Sequence, residues 1–166
     1  FSGHGTFPMR YGWLKKAYDA VAADNKTTNN KSIFSNKEAI AQFGVGKNMV
    51  EAMRHWAEAT DTLRDDKETN SLKTTRFGET LFGKVGVDPY LEHPSSLWLI
   101  HWKLCGNANK TTWYWAFNHY PEAVFERDTM ISSLNELVKK AQWKSNPSQN
   151  TIKRDVECFV RTYAAR

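Results

Sequence analysis

Between Ser35 and Thr60 two amphipathic stripes are broken by the run Gly44-Val45-Gly46, and this punctuation constrains the chain more than any other feature. Ser35 and Asn36 suit a helix N-cap, and Glu38 follows Ser35 by three residues, the spacing of a capping box. Ala39, Ile40 and Phe43 give the first stripe its apolar face. From Lys47 to Thr60 the apolar positions are Val50, Met53, Trp56 and Ala57, which share one side at helical spacing. A short helix, a glycine turn and a longer helix predict a helix-turn-helix. The periodicity then changes. Thr62-Leu63-Arg64 and Leu72-Lys73-Thr74 predict two short strands about the polar turn Asp65 to Ser71, and Thr75 to Phe82 predicts the next helix. A hairpin at that place is where a wing belongs, so the expectation is a mainly α fold built on a winged helix-turn-helix.

The flanking sequence reads as helices. Leu14, Ala17, Tyr18 and Val21 make one face of a helix from Tyr11 to Ala23, and Asn25 to Ser32 reads as a surface loop. After a connector from Asp88-Pro89 to Pro94, Ser95 or Ser96 is expected to cap a helix running to Cys105. Lys110-Thr111-Thr112 opens another, closed before Pro121. Four of the seven tryptophans, Trp98, Trp102, Trp113 and Trp115, fall in these two helices. They are read as a core joining two modules, because basic residues are sparse among them, unlike a base-stacking surface. Asp128 or Thr129 is expected to cap a helix striped by Ile131, Leu134, Leu137 and Val138. After a turn from Trp143 to Ser148, a last helix to Ala164 carries Ile152, Val156, Phe159, Val160 and Tyr163. The expected organisation is residues 1–84 as an N-terminal helix with the winged unit, and 85–166 as a helical unit with a second helix-turn-helix-like pair. The two are expected to pack as one body, and the natural protein is expected to continue where a second wing would begin.

Composition narrows the classes of function. With 166 residues, 40% of them hydrophobic and 13% aromatic, the chain has enough apolar side chain for a core. No apolar run is long enough to span a bilayer, and the N-terminus lacks a signal-peptide pattern. Cys105 and Cys158 form no CxxC pair, so a disulfide framework or zinc site is not expected, and a cytoplasmic setting is. A net charge of +5 suits a polyanionic partner, with placement deciding.

The candidate contacts follow from that placement. A recognition helix reads base edges near its N-terminus while its neighbours hold phosphates. Lys47 and Asn48 sit at that end of the second helix and Arg54 further along, with Lys73 and Arg76 at the base of the wing. Asn150, Lys153 and Arg154 hold equivalent places in the last helix. Lys and Arg match guanine acceptors, and Asn matches adenine. The sequence has no Walker loop, GxGxxG, GxSxG or HExxH. His4 and His119 are the catalytic candidates, His4 as a base or phosphate ligand near Arg10, and Glu122, Glu126 and Asp128 stand near His119 as oxygen ligands for a divalent ion. No metal ligand set is fixed by the spacing.

The runs FSGHGTFPMRYGWLKKAYDAV, FGVGKNMVEAMRHW, DPYLEHPSSLWLIHWKL and TTWYWAFNH resemble, in order and over nearly the whole chain, the bacterial domain-of-unknown-function family DUF4007. The family's opening run reads FSGHETF, and Gly5 stands here in place of its Glu, which puts in doubt any ligand or base role at that position. The resemblance implies a setting in DNA phosphorothioation operons that guard against phage, with cysteine desulfurase and sulfurtransferase or ATPase proteins as partners. One type of member is the DNA-nicking component, so the resemblance implies a nicking endonuclease in full-length form, with Mg2+ or Mn2+ as cofactor. Full members are longer than this chain. A non-enzymatic module that recognises double-stranded DNA or docks the sulfur-transfer proteins, and a transcriptional regulator, remain alternatives.

Overall fold

The computed structural model describes residues 1–24, 30–124, 126–141, 143 and 146–164. Among them eight α-helices and one two-stranded antiparallel sheet follow in the order α1 (Trp13–Ala22), α2 (Glu38–Phe43), α3 (Lys47–Ala59), β1 (Leu63–Asp66), β2 (Ser71–Thr74), α4 (Arg76–Phe82), α5 (Pro94–Cys105), α6 (Thr111–Asn118), α7 (Arg127–Lys140) and α8 (Gln149–Tyr163). The mainly helical class with one small hairpin is as expected. Of the expected loop Asn25 to Ser32, Asn25 to Asn29 lie outside the described residues, as do Lys144 and Ser145 of the later turn.

The chain divides into two compact units. One comprises Gly3–Gly5 and Met9–Leu104, the other Phe1–Ser2, Thr6–Pro8 and Cys105–Arg166. In the first, α3 is the central element. Val50, Met53, Trp56 and Ala57 are all fully buried, and α1 packs against α3 with Leu14, Ala17, Tyr18 and Val21 inward. Burial of one such apolar side chain contributes roughly 1.5–3 kcal/mol, so these stripes account for the pairing without further devices. Gly44 ends α2 at φ 66, ψ 29, the left-handed conformation in which an added Cβ is disfavoured. The expected capping box does not form around Ser35. Asn36 Oδ1 instead accepts the Ala39 N–H at 2.7 Å.

The end of α3 sets the hairpin. Thr62 N–H donates to Ala57 O at 2.9 Å and Asp61 N–H to Glu58 O at 3.3 Å, a Schellman-type stop, with Asp61 at φ 57 where glycine is usual. The strands pair from Leu63 opposite Thr74 to Asp66 opposite Ser71. Thr75 closes the unit: its hydroxyl donates to Asp61 O and accepts Gly78 N–H at 3.0 Å, capping α4. The segment read as a surface loop holds a 3-10 turn, Asn30–Phe34, with Asn30 buried. Its side-chain amide donates to Leu72 O at 3.0 Å and accepts Leu72 N–H at 2.7 Å, satisfying one β2 residue as a third strand would.

α5 starts at Pro94 rather than at a serine cap. Proline suits a first helical position, and buried Asp88 takes the amides of Glu92 and His93 at 2.9 and 3.0 Å. In the second unit α7 and α8 pack through Met130, Leu134, Val138, Ile152, Val156 and Phe159. α7 begins after Glu126, with Asp128 inside its first turn rather than capping it, while Ser148 caps α8 by accepting Thr151 N–H at 3.1 Å. Buried Asp155 accepts Ser2 N–H at 2.9 Å and the Thr112 hydroxyl, tying the opening residues and α6 to α8. Cys105 and Cys158 are buried in this unit as thiols rather than in a disulfide, and burial pushes them up to about 11 and about 12.

Thr75→Val removes the cap of α4 and leaves the Asp61 carbonyl without its donor. It is expected to destabilise the protein by about 1–3 kcal/mol in urea denaturation, while Thr80→Val, at an exposed helical hydroxyl, costs less.

Candidate nucleic-acid interface

α3 presents its first turn to solvent. Lys47 and Asn48 are exposed, and the N-cap Gly46 supplies no side-chain acceptor for the leading amides. A thirteen-residue helix carries the positive end of its dipole there. Arg54, further along, has a different situation. Its Nε lies 2.7 Å from Glu58 Oε1 and its Nη2 3.9 Å from Asp65 Oδ2, while Lys31 holds the other Asp65 oxygen at 2.6 Å. The guanidinium is therefore engaged within the fold, joining α3 to β1.

At the hairpin, Lys73 pairs with Asp66, and Arg76 is exposed at the first position of α4 with no ion pair among the described residues. Lys73 lowers Asp66 to about 2, with Thr69 assisting. Burial raises Asp61, but hydrogen bonds from Lys103 at 2.8 Å and Arg64 at 3.1 Å outweigh it and hold the carboxyl below its ordinary value. In the other unit Asn150, Lys153 and Arg154 are exposed on the first two turns of α8, off the buried stripe. The structure thus leaves Lys47, Asn48, Arg76, Asn150, Lys153 and Arg154 available to solvent, with Lys73 and Arg54 already paired.

The two histidines differ. His4 is 2% exposed, its ring stacked 6.1 Å from Trp56 and edge-on to His55 at 5.8 Å. Gly3 makes this possible. Its φ is 94, and a Cβ there would lie 2.4 Å from His55 Nδ1, so no larger residue fits the opening run at that point. Gly5, in place of the family's Glu, is exposed at φ 55. His119 is exposed at the end of α6, 5.2 Å from the Tyr114 ring, and belongs to the other unit. Among the described residues no group of three or more His, Cys, Asp or Glu is placed to hold a metal ion, so Glu122, Glu126 and Asp128 do not assemble around His119.

The tryptophan core expected from α5 and α6 is not what forms. Trp113 is 2% exposed, but Trp98 and Trp102 are 70% and 76% exposed, with Leu97 and Leu99 half-exposed beside them. α5 is apolar on nearly every side, yet only Ser96, Ile100, Leu104 and Cys105 are buried. His101, half-buried and edge-on to Trp98 at 5.5 Å, is pushed down by burial. A cleft of about 1210 Å³ opens between the hairpin, α4 and α5, with Phe77, Leu81, Leu99 and Trp102 among its walls and Lys67 and Arg76 in its lining. Sequence periodicity did not reveal it. The available signal was the absence of a polar face on α5.

The family model of DUF4007, described as a protein of unknown function, matches residues 1–166. Two solved structures share the fold, a magnesium ion-bound SspB crystal structure and an SspB crystal structure. Each is 34% identical to this chain with a TM-score of 0.83, covering 98% of it and 48% and 49% of the respective neighbour. The chain therefore spans about half the length of those proteins. No curated protein matches it.

The carboxylates give a pH dependence of stability. Asp88 is held below its ordinary value by the Ser96 hydroxyl, against the opposing effect of burial, and by the amides of Glu92 and His93. For Asp61, Asp66 and Asp88 alike the folded value lies below the unfolded one of 3.8, so the unfolded chain binds more protons between them. Their contribution is complete above the unfolded value and is lost as pH falls below it, for Asp66 down to about 2. Denaturation midpoints are expected to drop across that window, and Asp88→Asn is expected to flatten the drop. A midpoint indifferent to acid in that range would contradict it.

Proposed function

Given that the chain belongs to the DUF4007 family, we propose that it is the DNA-binding part of a DNA phosphorothioation and phage-defence protein, with a winged helix as its binding element and DNA nicking as the activity of the longer form. The observation that carries this reading is the exposed pair Lys47 and Asn48 at the open end of α3, next in chain order to a hairpin with Arg76 at its base. In this reading α3 enters the major groove of double-stranded DNA. Lys47 faces guanine acceptors or Asn48 adenine, while Arg76 and Lys73 lie along a phosphate backbone. Arg54, tied to Glu58 and Asp65, positions α3 against the hairpin. Asn150, Lys153 and Arg154 on α8 supply a second set of backbone contacts.

The likeness to SspB supports the setting, and with it cysteine desulfurase and sulfurtransferase or ATPase partners. One of those neighbours is magnesium-bound, which favours Mg2+ or Mn2+ for the longer protein. The residues described here do not fit a magnesium centre by themselves, since no three metal-capable side chains converge. No chemical step is assigned to His4 or His119 through such an ion. His4, packed between His55 and Trp56, anchors the opening run. A second reading, a non-enzymatic module that docks the sulfur-transfer proteins, is favoured by the exposed Trp98 and Trp102. No helix among the described residues is long and apolar enough to cross a membrane.

Lys47→Ala and Arg154→Ala are each expected to weaken duplex binding and to reduce the slope of log affinity against log salt by about one unit. Unchanged affinity in both variants excludes these helices as the DNA face. Supercoiled plasmid incubated with this chain and Mg2+ or Mn2+, with a chelator control, tests the location of nicking. A mobility shift without open circles is expected. Metal-dependent nicking would move the chemistry into these residues and return His4 and His119 to candidacy, and neither shift nor nicking at low salt would favour the docking module.

A further inference from the structure

The cleft beside the hairpin has features that a groove for intact duplex does not need. It lies wholly within the unit of Met9–Leu104. Its most conspicuous wall is the Trp102 indole, a flat π surface left 76% in water. The Lys103 ammonium stands 5.1 Å over the Phe77 ring and is anchored by Asp61, which fixes the aromatic floor. Leu99 and Val87 complete an apolar slot. Its volume, about 1210 Å³, exceeds the roughly 300–1,000 Å³ of ordinary small-ligand sites, enough for a nucleotide with room to enter.

The charges of the lining favour an anion at the rim. Five cations face four carboxylates: Arg64, Lys67, Lys73, Arg76 and Lys103 against Asp61, Asp65, Asp66 and Glu68. Asp61 and Asp66 are neutralised from within the cleft by Arg64, Lys103 and Lys73, and Asp65 is held by Lys31 and Arg54 from outside it. Lys67 and Arg76 make no ion pair among the described residues, and Glu68 is the remaining carboxylate. A π face, an apolar slot and unpaired cations at its edge are what one unstacked base with its flanking phosphates requires. A groove for an apolar helix would need the first two and not the third.

We propose that this cleft binds an unstacked nucleobase, extrahelical or single-stranded, with the ring on Trp102 and a flanking phosphate at Arg76. The proposal rests on the DNA-binding reading, because Arg76 is also the residue placed there on the phosphate backbone. It adds that the hairpin side of the unit distinguishes distorted or open DNA from regular duplex.

The test uses the whole chain and two labelled oligonucleotide duplexes, one fully paired and one with a single bulged 2-aminopurine. Binding is read by anisotropy and stacking by 2-aminopurine fluorescence. The native protein is expected to prefer the bulged duplex by about tenfold, the scale of one base–aromatic stack, and to quench the probe. Trp102→Ala is expected to abolish both the preference and the quenching while leaving affinity for the paired duplex unchanged, and Trp102→Phe to restore part of each. The side chain is exposed, so its removal leaves the core intact. Equal affinity for the two duplexes, or a preference that survives Trp102→Ala, overturns the proposal while leaving duplex binding standing. Failure to bind either duplex overturns both. Loss of self-association in Trp102→Ala, measured by sedimentation, together with unchanged binding of the bulged duplex, would assign the cleft to protein docking instead.

Discussion

Three threonine hydroxyls around the end of α3 hold the unit of Met9–Leu104 in its arrangement. Thr60 donates to Trp56 O at 2.9 Å and shares a hydrogen bond with Thr62 at 3.0 Å, and Thr75 reaches back to Asp61 O. All three are buried, so each lost bond would leave a polar atom without water. The chain is thereby turned out of α3, through the hairpin and into α4 with little freedom. Asp61 is drawn into the left-handed region at φ 57 to make the turn, and its carboxylate then serves Arg64 and Lys103. One junction thus sets the helix register, the hairpin and the charge lining of the cleft.

The same economy appears in the carboxylates. Asp65 gathers Lys31 and Arg54, and Asp66 takes Lys73. Two of the three carboxylates in the segment read as a polar turn, Asp65 and Asp66, are thus neutralised by neighbours. The exposed charge left over comes from residues such as Lys47, Lys67 and Arg76. Net charge alone did not distinguish these from the paired cations, because pairing depends on elements distant in sequence.

Helices with a strong stripe were legible. Val50, Met53, Trp56 and Ala57 fixed α3, and Ile152, Val156 and Phe159 fixed α8, each within a residue or two of the observed ends. The hairpin was legible because polar turn residues separated two short segments, each centred on or opened by one leucine, Leu63 and Leu72. Caps were less so. Asn36, one of the two candidates at α2, does accept the open Ala39 amide, whereas Ser95 and Asp128 suit an N-cap by type yet α5 opens at Pro94 and α7 begins after Glu126, since a cap is chosen by which side chain reaches the open amides. Asn30 was hidden for a similar reason, its partner Leu72 lying 42 residues away. Of the site, exposure of Lys47 and Asn48 followed from helix phase, whereas the exposure of Trp98 and Trp102 did not, because hydrophobicity alone does not say which face another element covers. The internal tie of Arg54 needed the fold.

The two thiols carry a different lesson. Cys105 and Cys158 are buried and pushed well above neutrality, and only the thiolate is a sulfur nucleophile. At neutral pH burial therefore holds each side chain as the protonated thiol. Both therefore serve their unit as small apolar packing elements, neutral across the physiological range.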